Sequence, residues 1–136
     1  MRVTQRSIMA RLNVQREIDP KAEIRARVDF LKQYLLHTGA NGYVLGISGG
    51  QDSTLAGKLA QIAIDELNET SKSKRYAFHA VQLPYGEQFD ADDVKDAIEF
   101  IQPSKSYVIN IKEAVDASVR AVEAALGTAV TDYNKG

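Results

Sequence analysis

Apolar positions recur along the chain at two spacings, one typical of helices and the other of short buried strands. The first clear helical stripe is predicted over residues 19–37, with apolar side chains spaced by four, three and four residues. That stripe consists of Ile24, Val28, Leu31 and Leu35. Asp19 is a suitable N-cap, Pro20 suits the first helical position and Gly39 can end the helix.

Three compact apolar segments predict β-strands, each followed by a segment with helical periodicity. The strands are predicted over residues 43–47, 76–83 and 106–111, and the helices over residues 4–13, 19–37, 53–68, 90–102 and 112–126. This alternation predicts an α/β fold, a three-layer arrangement of one parallel sheet with helices on both faces. Ligands of such sheets bind at the carboxyl ends of the strands, so the loops after Ile47, Leu83 and Ile111 are candidate sites.

Composition narrows the class of protein further. The 136 residues suit one domain, and 44% hydrophobic with 26% charged residues is typical of a globular chain. A net charge of -1 gives no basic footprint, so we expect neither a nucleic acid nor a membrane as partner. The chain has no cysteine and no long apolar run, and we expect a soluble protein of a reducing compartment, the cytoplasm.

The loop after the first predicted strand carries the clearest chemical signal. It reads Ser48-Gly49-Gly50-Gln51-Asp52-Ser53. Glycines let backbone N–H groups approach an anion, and the following helix N-terminus adds aligned donors and partial positive charge. A carboxylate at Asp52 would repel phosphate unless a cation lies between them, which indicates Mg²⁺. Together these residue types predict a pyrophosphate-binding loop with a metal ligand.

Two more common phosphate motifs are absent from this loop. No Gly-Lys-Ser/Thr follows Gly46 at the P-loop spacing, and no Gly-x-Gly-x-x-Gly fingerprint begins at Gly46 or Gly49. A plain strand-to-helix turn, with Ser53 as an ordinary N-cap, is the simpler alternative. Five specified residues in this order would arise by chance roughly once in ten thousand chains of this length at average residue usage. The pattern therefore favours a binding loop.

The loop resembles the pyrophosphate loop of the N-type ATP pyrophosphatases, and further segments resemble the bacterial ammonia-dependent NAD synthetases. The segments that carry this resemblance lie at residues 45–57, 83–88, 97–103, 110–112 and 131–136. The resemblance implies a Rossmann-like fold of the adenine nucleotide alpha hydrolase type. It also implies that residues 1–136 form the N-terminal portion of a single, longer catalytic domain, with residues 1–42 as a helical segment packed on it.

The resemblance further implies ATP-dependent amidation of deamido-NAD to NAD, through an acyl-adenylate and with release of AMP and pyrophosphate. The nitrogen source is expected to be free ammonia, because a chain without cysteine cannot hydrolyse glutamine at a cysteine nucleophile. A homodimer is expected for the whole protein. Two alternatives stay open: another ATP pyrophosphatase, GMP-synthetase-like or tRNA-modifying, and a nucleotide-binding piece without turnover.

Candidate site residues fall into three groups. The residues expected to bind ATP are Gly46, Ile47, Ser48, Gly49, Gly50, Gln51, Asp52, Ser53, Val81, Gln82, Leu83 and Gln88. Asp52 is also the expected Mg²⁺ ligand, and Tyr133 and Asn134 are expected to meet deamido-NAD. Gln82 departs from the family pattern, in which Arg is frequent, and glutamine cannot supply a cation. No residue is assigned as catalytic.

Other titratable residues are expected to be structural. His37 and His79 have no partner at metal-ligand spacing, and the acidic residues at the start of the predicted helix 90–102 suit its N-terminal dipole.

Overall fold

The structure, a computed structural model, describes residues 5–11, 19–86 and 91–129. The helices are α1 (Gln5–Arg11), α2 (Pro20–Thr38), α3 (Gln51–Thr70), α4 (Ala91–Ile101) and α5 (Lys112–Leu126), and the strands are β1 (Gly42–Gly46), β2 (Ala77–Gln82) and β3 (Lys105–Val108). Their order is the one the sequence predicts.

The three strands form one parallel sheet in the order β1-β2-β3, with helices on both sides. Val44 pairs with His79, and Val81 pairs with Tyr107. The predicted α/β class is confirmed. All three strands run in the same direction, so their carboxyl ends meet at one edge of the sheet.

The core lies between the sheet and α3 and α4. Phe78 and Ala80 of β2 are fully buried beside Ile64 of α3 and Ile101 of α4. Alternation along β2 aims these two side chains at the helices. The core therefore sets the distance between β2 and α3, which in turn positions the loop that joins β1 to α3.

Helix α2 packs on α3 through a second, smaller apolar cluster. Val28 is fully buried there with Ala63, and Leu31 packs against the same cluster. The Tyr43 hydroxyl of β1 donates to the Leu31 carbonyl oxygen at 2.8 Å. Burial, and then the nearby Tyr34, raises the pKa of the Tyr43 hydroxyl.

The predicted ends of α2 are confirmed. The Asp19 carboxylate accepts from the backbone N–H groups of Lys21 and Ala22 at 3.1 and 3.4 Å. At the other end Gly39 has a φ of 75°, and its N–H donates to the Leu35 carbonyl oxygen. Short polar side chains and glycine serve these positions because helix ends leave backbone groups without partners inside the helix.

Several element boundaries differ from the predicted ones by one to three residues, and two of these differences have a clear physical reason. Helix α3 begins at Gln51 rather than at residue 53, with Gly50 as N-cap, so Ser53 lies inside the first turn. Strand β3 ends at Val108 rather than at residue 111. Ile109 and Ile111 still donate to the carbonyl oxygens of Gln82 and Pro84, but Pro84 has no N–H to return a bond to the ladder.

Among the described residues, no helix is both long and apolar enough to cross a membrane.

Candidate functional site

The loop between β1 and α3 lies at the carboxyl edge of the sheet. The Ile47 N–H donates to the Val81 carbonyl oxygen at 2.8 Å, which continues the β1–β2 pairing by one residue before the chain turns. The buried Ile47 side chain packs close to Gly57 of α3, where an added Cβ would lie 3.2 Å from Ile47 Cδ1. The glycine in α3 thus allows the helix to approach the base of the loop closely.

Two serines organise the loop from within. The Ser48 and Ser53 hydroxyl oxygens lie 3.1 Å apart, and the Ser48 N–H donates to Ser53 Oγ at 3.2 Å. The Gly50 N–H donates to Ser48 Oγ at 3.2 Å. Both hydroxyls lie in the loop at the start of α3, and the one that accepts within the pair keeps its proton to donate outward, which suits a contact to a phosphate oxygen. Ser53 is therefore part of the loop network and not a plain N-cap.

Gly49 has a conformation and a setting that only glycine fits. Its φ is 92°, in the region that residues with a Cβ rarely adopt. An added Cβ would lie 3.0 Å from the Val94 backbone nitrogen and 3.1 Å from Val94 Cγ2. The loop is therefore packed against the first turns of α4 at this residue.

The first turn of α3 presents donors at the end of the loop. Its N-cap is Gly50, so no side chain caps the helix N-terminus. Gln51 and Asp52 are exposed, and Thr54 Oγ1 donates to the Gly50 carbonyl oxygen at 2.7 Å. The N–H groups of a first helical turn lack partners inside the helix and carry partial positive charge. The arrangement can hold an anion beside the serines.

Asp52 fits a magnesium ligand of the kind that also uses substrate phosphates. Its carboxylate is exposed in the first turn of α3, next to the donors just described. Mg²⁺ is commonly held by one or two carboxylates together with phosphate oxygens and water. Within the described ranges, no group of three or more acidic or histidine side chains could hold a metal ion without a substrate. A metal ion at Asp52 would therefore also need ligands from a bound phosphate or from water.

A cavity of about 340 Å³ adjoins the loop on one side. It is lined by Gly46, Ile47, Ser48, Val81, Leu83, Tyr85 and Ile111. The lining is largely apolar, with a serine at its phosphate-loop end, so the cavity suits the base of a nucleotide whose phosphates reach the loop.

Two lining residues, Tyr85 and Ile111, were not among the residues expected from the sequence. Both follow strands of the sheet, in the loops where the parallel-sheet rule places ligands. The parallel-sheet rule could have pointed to both loops from the sequence. It could not show that Tyr85 and Ile111 line the same cavity, because that depends on how β2 and β3 pair.

The remaining predicted residues divide into two sets. Gln82 is half-buried, and its carbonyl oxygen accepts from the Ile109 N–H at 2.8 Å, but it does not line the cavity with Val81 and Leu83. Successive strand residues face opposite sides of a sheet, which separates Gln82 from its two neighbours. Gln88, Tyr133 and Asn134 lie outside the described residues.

Two further cavities lie on other sides of the sheet and its helices. One of about 430 Å³ lies between α3 and α4, where Gly49 and Gly50 meet the carboxylates of Asp93 and Asp96. These carboxylates would repel a phosphate from that side. Another, of about 620 Å³, is apolar, lies between α2, α3 and β1, and includes no residue of the loop. The cavity lined by Ser48 is therefore the best candidate for a nucleotide.

The two histidines, His37 and His79, lie apart from the loop of residues 48–53 in the sequence, one in α2 and the other in β2. His79 Nδ1 lies 3.0 Å from the Tyr107 hydroxyl, and the two rings stack at 5.7 Å. His37 is exposed in the last turn of α2, a position where a cation suits the helix dipole.

Comparison with known proteins identifies the family. A sequence model described as NAD synthase matches residues 23–135 of the chain. The chain belongs to the NAD synthase family. An NH(3)-dependent NAD(+) synthetase of Halalkalibacterium halodurans is 60% identical over 132 residues, and one of Oceanobacillus iheyensis is 59% identical over 133 residues. Each alignment covers 97% of this chain and 48% of the relative.

A solved structure supports the same family. The crystal structure of an NAD+ synthetase from Burkholderia pseudomallei is 34% identical, with a TM-score of 0.83 over 96% of this chain and 55% of that one. The chain thus spans about half the length of the curated relatives it matches. Members of the family use ATP as co-substrate.

Proposed function

We propose that the protein catalyses the ATP-dependent amidation of deamido-NAD (nicotinic acid adenine dinucleotide) to NAD, with ammonia as the nitrogen source. The observation that carries the proposal is the loop of residues 48–53, which joins phosphate donors to an apolar cavity at the carboxyl edge of the sheet. Membership of the NAD synthase family supplies the substrate class. Residues 1–136 would be the N-terminal portion of one catalytic domain, with residues 1–42 packed on it as a helical segment.

The reaction has two steps. A carboxylate oxygen of deamido-NAD attacks the α-phosphorus of ATP, and pyrophosphate leaves, which gives an acyl-adenylate. Ammonia then attacks the acyl carbon, AMP leaves with the electron pair of the cleaved C–O bond, and a proton is lost to give the amide. Neither step needs a covalent enzyme intermediate, so the protein's task is to orient the substrates and to stabilise charge.

The loop residues would stabilise the negative charge of the departing pyrophosphate. The N–H groups at the start of α3 and the hydroxyls of Ser48 and Ser53 are its donors. Val81 and Leu83 would contact the adenine in the adjoining cavity. Asp52 would hold Mg²⁺, which, when bound, neutralises charge on the phosphates. We further propose that Gln82 and Gln88 contribute to adenosine binding, and that Tyr133 and Asn134 meet deamido-NAD.

Ammonia rather than glutamine is supported by the similar relatives, which are named NH(3)-dependent NAD(+) synthetases. We propose a homodimer for the whole protein. We also propose that it has no nucleic acid or membrane partner, as the net charge of -1 of these 136 residues suggests. We also propose a cytoplasmic location, where ATP is available.

The test is a turnover assay on the full-length native protein with deamido-NAD, ATP, Mg²⁺ and ammonium. We expect NAD, AMP and pyrophosphate in equal amounts. Asp52→Asn should lower kcat/KM by about 100-fold or more, because the carboxylate ligand for the metal is lost while the side-chain volume is kept. Glu69→Gln, at the far end of α3, removes the same charge and should leave turnover unchanged.

Two results would contradict the proposal. Pyrophosphate release with a guanine-nucleotide precursor or with tRNA, but not with deamido-NAD, would favour another ATP pyrophosphatase. Binding of ATP without any turnover would favour a nucleotide-binding role alone. Full activity of Asp52→Asn would remove Asp52 from the metal site while leaving the rest of the proposal standing.

A further inference from the structure

A cluster of three side chains joins the loop after β2 to the first turns of α5. The Tyr85 hydroxyl donates to Asp116 Oδ1, and Lys112 Nζ donates to Asp116 Oδ2 at 2.7 Å. Lys112 Nζ also lies 5.3 Å from the centre of the Tyr85 ring, within reach of a cation–π contact. We call Tyr85, Lys112 and Asp116 the Asp116 cluster.

Further hydrogen bonds hold the same two segments together beside this cluster. Asn110 Oδ1 accepts from the N–H groups of Gly86 and Lys112 at 3.1 and 3.0 Å. The Ile111 N–H donates to the Pro84 carbonyl oxygen at 2.8 Å. The loop after β2 and the start of α5 therefore meet along a short seam, and the Asp116 cluster lies at one end of it.

Charge and burial make Asp116 the centre of this cluster. Its side chain is 27% exposed, against 54% for Lys112. The hydrogen bond to Asp116, and then the charges of Asp116 and Tyr85, raise the pKa of the Lys112 ammonium. Each of the two Asp116 oxygens is thus occupied by a different donor, one from each side of the seam.

The seam forms one wall of the cavity next to the phosphate loop. Tyr85 and Ile111 line that cavity together with Gly46 and Ser48. A change in the position of Tyr85 would alter the shape of this wall without touching the serines or the start of α3. Asp116 itself does not line the cavity, so any effect it has on a ligand there passes through Tyr85.

We propose that Asp116 is a positioning residue for the adenine nucleotide: by holding the Tyr85 hydroxyl and the Lys112 ammonium, it sets the wall of the cavity that receives the nucleotide's base. This inference rests on the proposed function, since it takes the cavity to hold ATP. It assigns Asp116 no contact with any substrate. It predicts that ATP affinity depends on Asp116 while the binding of deamido-NAD does not.

The experiment measures ATP affinity by calorimetry in the full-length native protein, without deamido-NAD, so that no turnover is needed. Asp116→Ala should weaken ATP binding about five- to tenfold, because a charge-assisted hydrogen bond to the wall residue is lost. Tyr85→Phe should weaken it in the same direction. The double variant should be no worse than the weaker-binding single variant, since both changes remove one shared contact.

The matched control is Glu113→Ala, an exposed acidic residue in the first turn of the same helix. It should leave ATP affinity unchanged. In the turnover assay, Asp116→Ala should raise the KM for ATP and leave the KM for deamido-NAD within twofold. Hydrogen exchange at residues 83–86 should become faster in Asp116→Ala and stay unchanged in Glu113→Ala.

Four results would overturn the inference. They are ATP affinity within twofold of the native value in Asp116→Ala, additive effects of Asp116→Ala and Tyr85→Phe, an equal rise in the KM of both substrates, and no ATP binding by the native protein. If Asp116→Ala does not fold, native ATP affinity in Tyr85→Phe overturns the inference on its own. Native protein that binds ATP but makes no NAD contradicts the proposed function, and the affinity comparison still decides the role of Asp116.

Discussion

At the scale of single residues, Gly49 constrains the conformation of the loop of residues 48–53. Its φ of 92° and the close approach of the Val94 backbone leave no room for a Cβ. Gly39 has a similar φ of 75°, but an added Cβ there would meet nothing within 4 Å. The two glycines therefore separate the cost of an unfavourable backbone conformation from the cost of a clash.

We expect Gly49→Ala to lower the free energy of unfolding by about 2–3 kcal/mol and to weaken ATP binding, because the loop must shift away from α4. Gly39→Ala should cost only about 1 kcal/mol, which is the conformational penalty alone, and should leave ATP binding unchanged. Denaturant unfolding and calorimetric titration with ATP measure the two effects. Equal losses in the two variants would mean that the contact with Val94 does not constrain the loop.

At the scale of elements, α2 is held to α3 by an ion-pair network as well as by apolar packing. Arg25 contacts both oxygens of Glu66, at 2.6 and 3.0 Å, and Lys32 Nζ lies 3.1 Å from Glu66 Oε1. Arg25 also contacts Asp29 at 2.7 Å within α2. The hydrogen bond from Arg25, and to a smaller degree that from Lys32, holds the pKa of the Glu66 carboxyl below its usual value, against partial burial.

The direction of this pKa shift predicts a pH dependence of stability. A carboxyl with a lowered pKa in the folded protein stabilises it above the unfolded pKa, about 4.3, and loses that contribution as the pH falls through the folded pKa. Glu66→Gln should therefore lower Tm by roughly 2–5 °C at pH 7, a modest value because Arg25 is half-exposed.

The difference in Tm between Glu66→Gln and the native protein should shrink as the pH falls from about 5 and vanish near about pH 3. Thermal unfolding followed by circular dichroism over this range is the measurement. Glu69→Gln, one turn further along α3, should leave Tm unchanged at every pH. A Tm difference that is independent of pH would show that the network acts through packing rather than charge.

At the scale of the whole molecule, several apolar side chains of β3 and α5 remain exposed. Val108 is 66% and Leu126 68% exposed, and α5 has no buried residue. Exposed apolar surface of this kind commonly marks a site of contact with further protein. The chain spans about half the length of its curated relatives. In proteins of that length, the other half is available to contact this surface.

We expect the 136-residue chain by itself to form no NAD, because it spans about half the length of its curated relatives and its described residues include no group of three or more side chains that could hold a metal ion. The measurement is NAD and pyrophosphate formation by the isolated chain and by the full-length native protein at equal concentration. Measurable NAD from the isolated chain would contradict this expectation and would mean that residues 1–136 hold a complete site.

The sequence predicted the elements well where their signals are local. Helix α2 follows from an apolar stripe between Asp19 and Gly39, and both caps are confirmed. The start of α3 was placed two residues late, because Ser53 looks like an N-cap while the structure uses its hydroxyl inside the loop. β3 was predicted too long, since only its pairing with β2 shows that Pro84 ends the ladder.

For the candidate site, the sequence by itself predicts the phosphate-binding role of residues 48–53, because the motif consists of neighbouring residues. Only the tertiary structure decided that Tyr85 and Ile111 line one cavity with Ser48, that Gln82 does not line it, and that the Tyr85 hydroxyl donates to Asp116. The last contact joins residues 31 positions apart, and the pairing of β2 with β3 brings them together. Local spacing encodes a loop, whereas the shape of a cavity depends on which strands pair and which helices pack between them.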